Sequence, residues 1–140
     1  MNPKIQSIYF AKDAIADVNE HGVRTLLREL RYKVYRDETF LLMVSIIDLE
    51  VTQEYHVLVN LIDESSNKNM YTIDGNLKMD PSKVDKEKNG FILMESISGL
   101  PQTNNNHCIV KVRLYNKNDD LVAQQQTILL TSREVNPYAD

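Results

Sequence analysis

The residues best suited to catalysis or metal binding are three histidines and one cysteine. His21, His56 and His107 are not at metal-ligand spacing, and no HExxH-type motif occurs. We predict His56 and His107 on the polar faces of two strands, so a shared site requires those strands to be neighbours. Cys108 directly follows His107, and adjacent residues of a strand point to opposite faces. We therefore predict that Cys108 is a buried packing thiol rather than an activated nucleophile.

No other motif of the chain demands a particular chemistry. The sequence has four glycines and lacks a G-x-S-x-G elbow, a G-x-G-x-x-G loop and a Walker loop. Asn116, Asn118, Asp119 and Asp120 offer oxygen ligands, but without the EF-hand pattern we interpret them as a polar turn. We expect no cofactor, no metal and no catalytic residue. A small hydrolase using His56 or His107 is the less favoured alternative.

A basic stretch is the main charged feature, and only Glu29 opposes it within the same segment. Tyr32 and Tyr35 are interleaved with its cations, as in surfaces that bind phosphates and stack bases. The same residues could contact an acidic protein or pair with carboxylates of this chain, or simply form a solvated strand face. The net charge of −4 disfavours nucleic acid and anionic membranes. The possible interaction surface comprises Arg24, Arg28, Arg31, Tyr32, Lys33 and Arg36.

The elements that must position these residues are strands, because alternation of apolar and polar residues is the dominant pattern. We predict about eight strands, at 5–11, 26–35, 40–49, 55–63, 70–79, 91–97, 108–115 and 121–130. The fold class is then all-β: one antiparallel β-sandwich over residues 1–140, of immunoglobulin-like architecture. Tryptophan and a cysteine pair are absent, so the likeness to immunoglobulins is architectural.

Three segments carry further expectations. Val23–Val34 fits a strand with Leu26, Leu30, Tyr32 and Val34 inward, or else a helix, and we favour the strand. Asp13–His21 is expected as a helical turn or a polar loop. Asp80–Lys83 is expected as a single helical turn, since Asp80 can cap it and proline follows.

The segment Phe40–Ile47 is apolar on both faces, and a strand of that kind must be covered on both. One face fills the core, and Leu41, Met43 and Ile47 lie on the other. Its cover is either the N-terminal segment, through Ile5, Ile8 and Phe10, or a second copy of the chain. We favour a homodimer slightly. Ile92 and Met94 are also apolar, and they too need a cover of one of these two kinds.

The order of several segments resembles a group of small bacterial β-sandwich proteins of unknown function. Tyr9-Phe10-Ala11-Lys12-Asp13 leads through a polar loop ending in Gly22 to an apolar strand. Leu61-Ile62-Asp63-Glu64 then precedes a turn, and Ile97-Ser98-Gly99-Leu100-Pro101 precedes the final hairpin. The resemblance implies a β-sandwich and no particular activity.

These features together predict a non-catalytic binding or assembly module that acts through protein–protein contacts, with itself or another protein. A structural protein of a mobile element is an alternative, and a nucleic-acid-binding domain using residues 24–36 is another. The first twenty residues lack the apolar region of a signal peptide, and Phe40–Ile47 is too short to span a bilayer. We therefore expect a cytoplasmic protein that does not bind membranes.

Overall fold

Nine β-strands and no helix make up the residues that the computed structural model describes, which are 3–19, 22–78, 88–100 and 106–137. The all-β class is confirmed, with one strand more than the eight that the sequence predicts. In this part of the chain there is no helix that could cross a membrane. The strands are β1 (Lys4–Asn19), β2 (Gly22–Leu30), β3 (Lys33–Val34), β4 (Phe40–Glu50), β5 (Glu54–Asp63), β6 (Lys68–Lys78), β7 (Lys88–Ile97), β8 (Asn106–Asn116) and β9 (Leu121–Thr131).

The strands form two sheets. The first sheet has the order β2-β1-β4-β7 and the second has the order β3-β9-β8-β5-β6. Every pairing is antiparallel except that of β3 with β9, which is parallel. Tight polar turns join β5 to β6 and β8 to β9, at the places where the sequence predicts connections. The chain first passes from the first sheet to the second between Leu30 and Lys33, a connection that we call the crossover, and it changes sheet again at later connections.

The inner faces of the two sheets share one hydrophobic core. Along β4, Phe40, Leu42, Val44 and Ile46 are at most 1% exposed, whereas the residues between them are half-buried on the opposite face. The predicted inward and outward sets of this strand are therefore confirmed. The second sheet contributes the alternate residues Tyr55, Val57, Val59, Leu61, Cys108, Val110, Val112, Leu114 and Leu129.

The N-terminal segment does not cover the outward face of β4, contrary to one of the two predicted alternatives. It forms β1, which pairs edge to edge with β4 in the same sheet. Phe10 belongs to the core, and Ile5 and Ile8 pack against it. A register shift between Ile5 and Ser7 brings Ile5 onto the same inward side as Ile8.

Two further expectations for the first thirty-five residues are wrong. The segment after Asp13 is neither a helical turn nor a loop, because β1 continues through Asn19. The predicted strand at 26–35 is divided between β2 and β3, which belong to different sheets. Of its predicted inward residues only Val34 is buried; Leu26, Leu30 and Tyr32 are 47%, 63% and 77% exposed. His21 and the predicted turn at Asp80–Lys83 lie outside the described residues.

Candidate functional site

The outer side of the first sheet carries a row of large apolar residues on three adjacent strands. Tyr9 of β1 lies opposite Met43 of β4, which lies opposite Met94 of β7. Residues that are directly opposite in a sheet point to the same face, so the three side chains adjoin one another. The neighbouring rows extend this outer apolar face, which we define as Tyr9, Leu30, Leu41, Met43, Ile47, Ile92 and Met94.

Much of this face is open to solvent. Tyr9, Leu30, Ile92 and Met94 are 45%, 63%, 51% and 43% exposed, which amounts to roughly 400 Å² if a large side chain presents about 200 Å². Patches of this size on single chains are often interaction sites. Sequence reasoning identified Leu41, Met43 and Ile47 but missed Tyr9 and Leu30. Tyr9 was detectable only through the pairing of β1 with β4, which is a long-range feature.

The outer side of the second sheet is more polar. One cross-strand row consists of Asn60, Lys111 and Gln126, and a second places Arg113 between Leu58 and Gln124. An isoleucine row, Ile62–Ile109–Ile128, lies between the Asn60 row and the pair His107–Leu130, and Ile128 is 51% exposed. The two outer surfaces of the domain therefore differ in chemistry, and the apolar one belongs to the first sheet.

The basic stretch does not form one cationic surface, because most of its cations contact carboxylates of the same chain. Arg28 makes a bidentate ion pair with Asp13 across the β1–β2 hairpin. The hydrogen bond from Arg28 holds the pKa of the Asp13 carboxyl below its usual range, against the opposing effect of desolvation, and the positive charge of Arg28 adds to the lowering. Arg36 lies 3.7 Å from Asp37. Pairing with this chain's own carboxylates was one of the predicted alternatives.

Arg31 has the least exposed of these three ion pairs. Its Nη2 donates to both carboxylate oxygens of Glu38 at 2.6 Å, and both side chains are only 18% exposed. Glu38 also accepts the backbone N–H of Tyr35 at 3.1 Å and the Nδ2 of Asn136 at 2.9 Å. The network joins the crossover between the sheets to the segment after β9, so Arg31 has a structural role here.

Tyr32 and Lys33 follow Arg31 directly in the stretch. Lys33 places its Nζ 5.0 Å from the ring centroid of Tyr35, at cation–π distance. Tyr32 is the most exposed large apolar residue among those described, at 77%. Arg24 lies opposite Asp17 in the β1–β2 register. A shallow depression of about 250 Å³ is lined by Glu29, Leu30, Arg31, Tyr32, Lys33, Tyr35 and Asn136.

His56 is the titratable residue with the most catalysis-like surroundings. Its Nε2 lies 2.7 Å from Oδ1 of Asp74, and its Nδ1 lies 3.1 Å from Oδ1 of Asn76. Both ring nitrogens therefore contact oxygen atoms, and the ring also lies beside Tyr115. A depression of about 350 Å³ adjoins it. A general base needs a ring nitrogen that can reach substrate, and in this arrangement both are occupied.

His107 and Cys108 do not join His56. His107 lies at the other end of the β5–β8 pair, where its Nδ1 is 3.5 Å from Glu64. Cys108 is fully buried, as predicted, and its register partner is Asp63. Burial first, and then the Asp63 carboxylate, raise the pKa of the Cys108 thiol to about 12. A thiol with this pKa stays protonated at neutral pH and is a poor nucleophile.

The Asn116–Asp120 turn is a polar turn held by its own side chain. Asn116 Oδ1 accepts the backbone N–H groups of Asn118 and Asp120 at 2.9 and 3.0 Å. That oxygen is thus engaged within the turn. Among the described residues, no group of three or more His, Cys, Asp or Glu side chains is arranged to hold a metal ion.

Known proteins resemble this chain in fold alone. No protein-family model matches it, and no curated protein is similar in sequence. A β-glucuronidase from Bacteroides uniformis has a TM-score of 0.56 at 11% identity, over 91% of this chain and 14% of that one. A Mobiluncus mulieris adhesin has 0.53 at 10% identity, over 94% and 58%. A Niemann-Pick type C2 protein from the Japanese carpenter ant has 0.50 at 8% identity, over 94% and 93%. The chain thus spans only 14% and 58% of the first two, and the likeness concerns the β architecture.

Proposed function

We propose that this chain is a non-catalytic binding and assembly module, a β-sandwich of immunoglobulin-like architecture that acts through protein–protein contacts. The observation that carries the proposal is the outer apolar face, on which Tyr9, Met43 and Met94 adjoin one another across three strands. Removing such a surface from water is favourable by about 25 cal/mol per Å² before the costs of association. The first partner to test is a second copy of the chain, since a two-fold dimer buries the same patch twice.

The basic stretch is a weaker basis for recognition. Arg28, Arg31 and Arg36 contact carboxylates, so a polyanion would have to compete with these ion pairs. The net charge of −4 also opposes long-range attraction to nucleic acid. Tyr32 and Lys33 remain accessible and extend the possible contact surface beside Leu30.

A small hydrolase that uses His56 is the second candidate, and the 2.7 Å contact with Asp74 is the observation in its favour. Catalysis would require His56 to give up its contact with Asp74 or with Asn76. A nucleophile beside the ring would also be needed, and the described ring contact of His56 is a tilted one with Tyr115. Binding therefore ranks above hydrolysis.

Sedimentation velocity over a range of micromolar concentrations tests the proposal with native protein, Met43→Lys and Ile128→Lys. The native chain should show a concentration-dependent species of twice the 16.2 kDa monomer mass. Met43→Lys should remain monomeric, because a lysine at the centre of the face would be buried without a partner. Ile128→Lys is the matched control, since Ile128 is 51% exposed on the outer side of the second sheet.

Far-UV circular dichroism must show that the Met43→Lys variant keeps its β structure. A native chain that sediments as a monomer at every concentration would end the proposal that the face binds a second copy. If both lysine variants self-associate as strongly as the native chain, the outer apolar face is not the contact.

A further inference from the structure

The hairpin of β1 and β2 extends beyond the sheet to which it belongs. The pairing of β1 with β4 ends where Ala11 meets Leu41, while the pairing of β1 with β2 continues to Asn19 and Gly22. In the described part of the chain, residues 12–19 and 22–29 therefore form a two-stranded ribbon with no third strand, which we call the arm. An isolated two-stranded ribbon is marginally stable in water. The arm should therefore gain stability from a surface on which it can lie.

The arm continues the outer apolar face. Residues 9, 11, 13 and 15 alternate along β1, so Ile15 points to the same side as Tyr9. Ile15 lies directly opposite Leu26, and the two side chains are 45% and 47% exposed. Between this pair and the body of the sheet, Arg28 is neutralised by Asp13. The arm thus presents an apolar pair beside a balanced ion pair, which suits contact with another apolar face.

The base of the arm is anchored. Arg31 donates its backbone N–H to the carbonyl of Phe10 at 2.7 Å, and its side chain is held by Glu38. Next to this anchor, Glu29 has a left-handed backbone with φ of 52°. Such a residue locally redirects a strand and is uncommon outside glycine and asparagine. The arm therefore has a fixed origin, and its direction is set at Glu29.

We propose that the arm is a dimerisation arm, which lays Ile15 and Leu26 on the outer apolar face of a second copy of the chain. This rests on the proposed function, because it takes that face as the receiving surface. Four residues of strand separate Ala11 from Ile15, which is about 13 Å, whereas four strands are about 14 Å apart from first to last. The apolar pair of the arm can therefore reach across most of the receiving sheet.

The area available supports a second copy as the occupant. The exposed part of the outer apolar face is roughly 400 Å² per chain, and two chains would bury roughly 800 Å², which is the size of a crystal contact. Ile15 and Leu26, each nearly half exposed, raise the sum to roughly 1,200 Å², the lower limit for specific interfaces. With the arms included, the counted apolar surface reaches the lower limit for a specific interface.

Disulfide trapping tests the placement of the arm, since the only native thiol is buried and has a pKa raised to about 12. One tagged copy carries Leu26→Cys, and an untagged copy carries Tyr9→Cys, Ile92→Cys or Met94→Cys. Each chain then has one accessible thiol, so a mixed disulfide joins two chains. The matched control is Gln124→Cys, an exposed position on the outer side of the second sheet.

Under mild oxidation, at least one of the three face positions should trap the arm about tenfold faster than Gln124→Cys does. The double variant Ile15→Ser/Leu26→Ser should self-associate at least about tenfold more weakly than the native chain, with its β spectrum intact. A native monomer overturns both this inference and self-association. A second outcome overturns only the inference about the arm. In that outcome Met43→Lys abolishes the dimer, but the arm variant keeps the native affinity and the arm forms disulfides no faster than the control does.

Discussion

Replacing Glu38 with glutamine isolates the contribution of the ion pair at the crossover between the two sheets. Glu38→Gln conserves size but removes the charge, and it turns one acceptor of the Arg31 Nη2 into a donor. Hydrogen bonds to charged groups contribute about 1.5–3 kcal/mol each. The substitution leaves the Arg31 side chain, which is only 18% exposed, with a neutral partner in place of a carboxylate. Water still reaches the site in part, so we expect the free energy of unfolding to fall by about 2 kcal/mol.

Urea unfolding followed by circular dichroism measures this change. The midpoint should fall with an unchanged slope, and the thermal midpoint should drop by about 4–10 °C. The neighbouring variant Arg36→Gln is the control. It removes an ion pair whose side chains are 56% and 87% exposed, so its effect should stay within about 0.5 kcal/mol.

A Glu38→Gln loss no larger than that of Arg36→Gln would refute the argument. The double variant Arg31→Met/Glu38→Met provides a second check on the reasoning. Apolar residues of similar volume remove the unpaired charge, so this variant should recover most of the stability lost in Glu38→Gln. A double variant that is much less stable than Glu38→Gln would show that the hydrogen bonds to Tyr35 and Asn136 dominate.

Two further predictions concern the buried thiol and the basic stretch. Cys108 should react slowly with thiol reagents in the native state and readily in denaturant, and Cys108→Ala should cost about 1 kcal/mol. The stability associated with the protonated thiol is complete below the unfolded value near 9.0 and is lost as the pH rises towards 12, so Cys108→Ala should flatten stability against pH in that window. In gel shifts at low salt the chain should not bind nucleic acid at micromolar concentration. Micromolar binding that is lost in Arg28→Gln, which removes an exposed ion pair, would reverse our ranking of the basic stretch.

The core of the fold could be predicted from the sequence because alternation is a local property. The inward set of β4 and the burial of Cys108 both follow from a two-residue repeat that needs no knowledge of neighbouring strands. The faces of His56 and His107 follow in the same way. That these two histidines lie at opposite ends of one strand pair depends on register, which alternation does not specify.

The arm was not predictable by the same reasoning. Leu26 and Leu30 alternate as core residues do, but alternation only says that two side chains share a face. Whether anything lies over that face depends on where the neighbouring strand ends, and the pairing of β4 ends at Leu41 opposite Ala11. The partners of Arg28 and Arg31 are also set by the tertiary structure, because Asp13 belongs to another strand and Glu38 lies beyond the crossover.

The basic stretch and the outer apolar face differ in what they can contribute to binding. The exposed ion pairs Arg28–Asp13 and Arg36–Asp37 contribute little to stability and weaken as salt rises. The free energy gained by burying apolar surface is not screened by salt in this way, and it increases with the area buried. Around Leu30 the two regions meet, since this residue lies opposite Ala11 in the sheet and lines the depression beside Tyr32 and Lys33. A partner on the outer apolar face would therefore also touch Tyr32 and Lys33. We expect the apolar residues to set the affinity of this contact, and the charges at its edge to affect mainly the rate of association.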